Sequence, residues 1–221
     1  MIGPAMTLDP TLDALLVVDL QRDFLPGGAL GVAGGHEVVG PIAALATRFG
    51  TVVATQDWHP PRHVSFASAH PGAAPFTTLA RPAGPQELWP DHCVHGSPGA
   101  ALHPDLPDRA ITLLLRKGTR REVDSYSAFR ENAGPDGARS TTGLGAWLRA
   151  RGVARLFICG LARDFCVRAS AVDAAAEGLE VVVLDDLTRA VSPERAGATD
   201  EALRAAGVRV VTSAALLAGG G

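Results

Sequence analysis

Apolar residues in this chain gather into short runs rich in Val, Leu and Ile, rather than into half-polar alternating stripes. Six such runs, at 14–19, 51–55, 110–115, 155–160, 180–184 and 208–212, have the length and character of strands buried on both faces. Helical patterns lie between several of them, at 37–49, 141–151, 164–177 and 193–206. Gly50, Gly152, Gly178 and Gly207 each stand just past a helical segment, where a left-handed C-cap residue is expected. Ser192-Pro193 offers a cap residue and a first-turn proline to the last helix. Together these patterns predict a single-domain α/β fold of three layers, α/β/α, around a central, mostly parallel six-stranded sheet of Rossmann-like type.

In such sheets ligands bind beyond the carboxyl ends of the strands. The reactive residues of this sequence fall there: Asp19, Asp57, Lys117 and Cys166 end or follow the first, second, third and fourth runs. The interval 58–109 breaks the alternation, being rich in Pro, Gly and His without periodicity. A loop that long inside a compact domain is usually functional, and it is expected to form the wall and lid of a site. The domain is expected to span 11–215, with flexible ends at 1–10 and 216–221.

Composition narrows the partners. A net charge of −3 over 221 residues gives neither a basic footprint for nucleic acid nor a polybasic membrane anchor. No apolar stretch is long enough to cross a bilayer, and residues 1–10 lack signal-peptide blocks. The three cysteines, Cys93, Cys159 and Cys166, suggest a reducing compartment, so a cytoplasmic enzyme of small molecules is expected. Whether it forms a homo-oligomer is left open.

Two constellations carry chemistry. Asp57-Trp58-His59 places two ligand types on one side of an extended segment, and His63 and His92 follow in the same long loop. Carboxylate with imidazole suits Zn²⁺, Fe²⁺ or Mn²⁺ better than Ca²⁺ or Mg²⁺. Spacing alone does not choose His92 over His70 or His95. The second constellation centres on Cys166, where a buried run passes into a helical pattern. Backbone N–H groups and the helix dipole there are expected to favour thiolate. Asp19 as base and Lys117 as cation, at adjacent strand ends, would complete a triad for attack on a carbonyl, with the N–H groups of Cys166 and Ala162 facing the oxyanion; taken singly, Asp19 could instead cap the turn into 21–24 and Lys117 could be a solvated strand end. Phe24, Trp89 and Tyr126 are aromatics in aromatic-poor loops, either loop anchors or a stacking pocket for a flat substrate.

Seven segments, taken together and in order, resemble the nicotinamidase (pyrazinamidase) family of the isochorismatase-like cysteine hydrolases. They are 17–24 (VVDLQRDF), 55–60 (TQDWHP), 63–66 (HVSF), 89–94 (WPDHCV), 116–118 (RKG), 124–129 (DSYSAF) and 160–167 (GLARDFCV). The resemblance implies an isochorismatase-like fold, with Asp19 as general base and acid, Lys117 as its positive partner and Cys166 as a thioester-forming nucleophile. It implies one divalent metal on Asp57, His59 and His92, with zinc first and iron or manganese as alternatives. His63 ranks lower, since that position ligates in only some relatives. Phe24 and Trp89 would flank the substrate ring, with Tyr126 and Leu161 also in the pocket, and a cis peptide would join Leu161 to Ala162. Arg163 departs from the threonine common at this position. Pointing inward it would favour an anionic substrate; pointing outward it would change nothing.

The expected activity is hydrolysis of nicotinamide to nicotinate and ammonia in NAD salvage, with pyrazinamide as a surrogate. A related amidase for N-carbamoyl compounds or maleamate is the nearest rival. A non-catalytic small-molecule-binding module on the same scaffold is a weaker one.

Overall fold

The computed structural model describes residues 6–217. Its strands are β1 (Asp13–Val18), β2 (Val52–Asp57), β3 (Thr78–Leu79), β4 (Gln86–Glu87), β5 (Leu113–Lys117), β6 (Arg155–Leu161), β7 (Glu180–Arg189) and β8 (Arg209–Val211). Six of them form one sheet in the order β5-β2-β1-β6-β7-β8, and every pairing within it is parallel. Each residue of β1 and β2 is buried, and all of β6 except Arg155, as continuous apolar strands covered on both faces must be. Phe157, Ile158 and Leu16 are fully buried at the centre.

The helices are α1 (Val39–Ala46), α2 (Leu144–Ala150), α3 (Arg168–Ala176), α4 (Ala196–Ala205) and α5 (Ala214–Leu217). In α1 the buried positions Val39, Ile42, Leu45 and Ala46 recur at helical spacing. Helix α3 packs on α4 and β7.

Local details differ from the sequence expectations for identifiable reasons. Gly152, Gly178 and Gly207 adopt positive φ as C-cap residues, but Gly50 does not. Helix α1 has already ended at Ala46, where the Thr47 hydroxyl donates back to the Ala44 carbonyl. Ser192 makes no side-chain cap; its N–H, with that of Val191, is taken instead by the Asp164 carboxylate. The loop 58–109 is not structureless, since β3 and β4 pair as a small antiparallel ladder within it. Lys117 and Asp19 are not on adjacent strands either, because β2 lies between β1 and β5. Met6 is buried, its N–H donating to the Ala215 carbonyl, and Leu216 is buried too. The rest of the expectation of flexible ends, at 1–5 and 218–221, lies outside the described residues.

The strand order reverses between β1 and β6, and this topological switch opens a crevice at their carboxyl ends. Asp19 leaves β1 on one side of it; Cys166 follows β6 on the other.

Candidate active site

At the end of β1 the chain turns sharply, and Asp19 holds a φ of 47°. Its N–H donates to Thr55 Oγ1 (3.0 Å), and the Thr55 hydroxyl donates to Asp19 Oδ1 (2.6 Å). One carboxylate oxygen is thus fixed by β2. The other, Oδ2, lies 2.9 Å from Lys117 Nζ but makes no well-aligned hydrogen bond, and it is fully buried. It is a proton acceptor with spare capacity inside the protein.

Lys117 reaches this point from the sheet edge. Its ammonium contacts Asp57 Oδ1, the Ser125 carbonyl (3.1 Å) and Cys166 Sγ (3.4 Å). A flexible four-carbon stem is what lets a β5 residue pass beneath Asp57 to meet residues of β1 and β6. Cys166, Asp19 and Asp57 each present an atom within 4.8 Å of the others.

Cys166 sits in a π-turn, Arg163–Val167, and not in the first turn of an α-helix. The Ala162 carbonyl accepts from the N–H groups of both Phe165 and Val167. The Leu161–Ala162 peptide is cis, and among the described residues the Ala162 N–H has no hydrogen-bond partner. The expected bias toward thiolate does not hold in the resting protein. Burial pushes the Cys166 thiol well above its ordinary value, Lys117 offsets only part of this, and the nearby carboxylates add to it. A thiol so placed needs a base to take its proton. Burial also raises Asp19 above the usual carboxylate range, against the opposing pull of Lys117. Lys117 is held protonated: burial disfavours its charge, but Asp19 and Asp57 outweigh that.

Asp57 and His59 end β2 and begin the long loop, and His92 returns to them from its far end. Asp57 Oδ2 lies 3.5 Å from His59 Nε2 and 3.9 Å from His92 Nε2. Each Nδ1 faces a carbonyl, Gly118 at 2.9 Å for His59 and Pro90 at 2.8 Å for His92. If Nδ1 donates there, both Nε2 lone pairs point toward the carboxylate, which is how metal-ligating imidazoles are oriented. Burial would raise Asp57, but Lys117, His59 and His92 together hold it well below the usual carboxylate range. His59 is raised by Asp57 despite burial, so a positive charge is favoured beside this carboxylate. This donor set fits a borderline divalent ion. His63 does not join it: its Nδ1 meets Ser65 Oγ (2.7 Å), and its Nε2 meets the Val123 carbonyl (3.2 Å). Nor do the loop histidines His70, whose Nε2 bonds the Val64 carbonyl, and His95, which packs against Trp58.

Both constellations border one cavity, lined by Phe24, Trp89, Tyr126, Phe165, Leu30 and Val191 together with Asp57, His59, His92, Asp124, Ala162 and Cys166. The Trp89 indole N–H donates to the Tyr126 hydroxyl (3.3 Å), and Phe165 packs on both rings. Leu161 is fully buried and is not among the lining residues. Its side chain supports the wall rather than forming it, and Ala162 lines the cavity instead. Arg163 points outward, paired with Asp185 (2.7 Å) and Asp200 (2.8 Å).

Several working residues were not singled out from the sequence. Gln21 clamps the end of β2, accepting the Asp57 N–H and donating to the carbonyls of Asp57 and Ala100. Asp23 accepts the Cys93 N–H (2.7 Å), fixing the loop next to His92. Both lie in the 17–24 motif, where their polarity so close to a catalytic carboxylate was the available signal. Thr55, Asp124 and Phe165 lie in the 55–60, 124–129 and 160–167 segments, where nothing set them apart from their neighbours.

The isochorismatase domain model matches residues 13–215, nearly the whole described chain. The chain belongs to the isochorismatase family. Within this family it is 48% identical over 178 residues to a nicotinamidase of Acinetobacter baylyi, covering 80% of this chain and 81% of that one. Among solved structures, the L. infantum protein PnC1 in complex with nicotinate superposes with a TM-score of 0.84 at 41% identity, covering 96% and 98% of the two chains. The pyrazinamidase of Pyrococcus horikoshii in complex with zinc gives 0.73 at 35% identity, covering 90% and 98%. No helix among the described residues is long and apolar enough to cross a membrane.

Proposed function

We propose that this protein is a nicotinamidase, hydrolysing nicotinamide to nicotinate and ammonia and accepting pyrazinamide as a surrogate. The observation that carries this reading is a single aromatic-walled cavity lined both by Cys166, with Asp19 and Lys117 behind it, and by Asp57, His59 and His92. An amide-hydrolysing centre and a metal-binding centre that share one cavity suit a flat ring carrying a carboxamide. The likeness to nicotinamidases and to a nicotinate-bound structure supports it further.

In this reading Asp19 Oδ2 takes the Cys166 thiol proton as sulfur attacks the carboxamide carbon. Lys117, 3.4 Å from the sulfur, stabilises the developing thiolate. The tetrahedral oxyanion is received by the N–H groups of Ala162 and Cys166. Asp19 then gives its proton to the amide nitrogen, the C–N bond breaks, and ammonia leaves a thioester on Cys166. Water attacks this thioester while Asp19 takes its proton, and collapse releases nicotinate and returns the proton to sulfur. Phe24, Trp89, Tyr126 and Phe165 hold the ring by its faces and edges and exclude bulk water. Asp57, His59 and His92 would hold the divalent cation, zinc by likeness to the zinc-bound relative. When bound, the cation supplies a Lewis-acid anchor for the ring nitrogen or for water bridging to it.

The rival substrates, N-carbamoyl compounds and maleamate, have no ring to stack and no ring nitrogen to anchor. The test is ammonia release from nicotinamide, with and without a chelator. Release that a chelator suppresses and added metal restores is expected. Metal-replete protein that releases ammonia from maleamate but not from nicotinamide would overturn the substrate while leaving the hydrolase.

A further inference from the structure

Asp124 is a buried carboxylate in the cavity wall that neither the triad nor the metal set uses. Its segment borders both halves of the site, because the Val123 carbonyl faces Nε2 of His63 (3.2 Å), whose ring stacks on His59, and the Ser125 carbonyl accepts from Lys117 (3.1 Å). The carboxylate is itself oriented. Oδ1 accepts the Ser125 N–H and Oδ2 accepts from Gln86 Nε2, each at 2.8 Å. Each oxygen keeps a further lone pair.

We propose that Asp124 is an outer residue of the metal site, accepting hydrogen bonds from water bound to a cation on Asp57, His59 and His92. The inference rests on the metal reading given above. Two observations carry it. First, an Asp124 oxygen lies within 4.8 Å of ligand atoms of both His59 and His63, yet Asp124 does not join the compact Asp57–His59–His92 cluster. It stands outside that cluster and beside one of its members, in the wall of the same cavity. Second, the Asp124 carboxylate offsets charge at the site. With Asp19 and Asp57 ionised against Lys117 and a divalent cation, the buried site keeps one uncompensated positive charge, and the Asp124 carboxylate supplies the missing negative one. Burying an uncompensated charge is costly, so the carboxylate should tighten metal binding.

The test uses zinc alone as probe, with affinity measured by competition against a chromophoric chelator and the melting of the metal-free protein followed in parallel. Asp124→Asn and Asp124→Ala should each weaken zinc binding by at least about tenfold. Asp124→Glu, which keeps the charge, should recover part of it. A merely structural role would lower the metal-free melting temperature and leave zinc affinity alone. A metal-loaded crystal structure of the wild-type chain gives a readout independent of variant folding: a metal-bound water hydrogen-bonded to Asp124 is expected. Coordinated waters that all face elsewhere, or unchanged zinc affinity in Asp124→Asn, would overturn this role alone. Wild-type protein that takes up no divalent metal would overturn the metal site and this role together.

Discussion

Gly118→Ala is the substitution in which backbone, metal site and triad meet. Gly118 follows Lys117 directly, has a φ of +63°, and its carbonyl faces His59 Nδ1. A Cβ added there would lie 2.3 Å from His59 Cε1 and 2.5 Å from Nδ1. Ordinary contact begins near 3.5 Å, so the imidazole must retreat by about 1 Å, or the backbone must move and take Lys117 with it. The left-handed conformation itself costs an alanine about 1–2 kcal/mol. His59 has little room to yield, being stacked on His63 at 4.1 Å and edge-on to Phe66 at 5.5 Å between ring centroids. Loss of an orienting bond to a ligand imidazole weakens metal binding by about 10–100-fold, and displacement of the ring adds to this. Chelator competition for zinc, with the melt of the metal-free protein in parallel, measures both effects. A variant that binds zinc as tightly as the wild type would refute the assigned role of His59 and its carbonyl.

The acid limb of the kcat/KM profile tests Asp19. Because burial raises its pKa, the base is lost as pH falls through a value above the usual 3.8, so activity should decline before ordinary carboxylates titrate. A rate independent of pH down to 4 would contradict this assignment. Arg163→Ala removes two ion pairs outside the cavity. It should leave KM for nicotinamide within about twofold and shift stability by about 1 kcal/mol or less. A large change in KM would place that guanidinium in the substrate path.

The sheet was readable because its central strands are buried on both faces, which leaves continuous apolar runs, and reactive residues stood at their ends. What local pattern could not show was set by tertiary contacts. The run at 110–115 is apolar but for Thr112, yet the strand begins only at Leu113, because Asp108–Ala110 forms a 3-10 turn and edge strand β5 alternates in exposure. The helical pattern from Asp164 begins with four residues of a π-turn, Arg163–Val167, in which the Asp164 side chain is committed to Val191 and Ser192, far along the chain. Among seven histidines, spacing could not choose the third member of the metal set. The choice follows from the turn that bonds His92 Nδ1 to Pro90 and from Asp23 holding the next N–H. Asp124 was hidden for a related reason. An aspartate before Ser125 reads as a turn residue, and only folding shows that it also faces the cavity.

Cys166→Ala offers the most direct check, with nicotinamide turnover and nicotinate binding measured on the same metal-replete preparation. The account predicts ammonia release reduced by at least about a thousandfold while nicotinate still binds. Turnover that survives without that sulfur would mean the amide is opened by some other group.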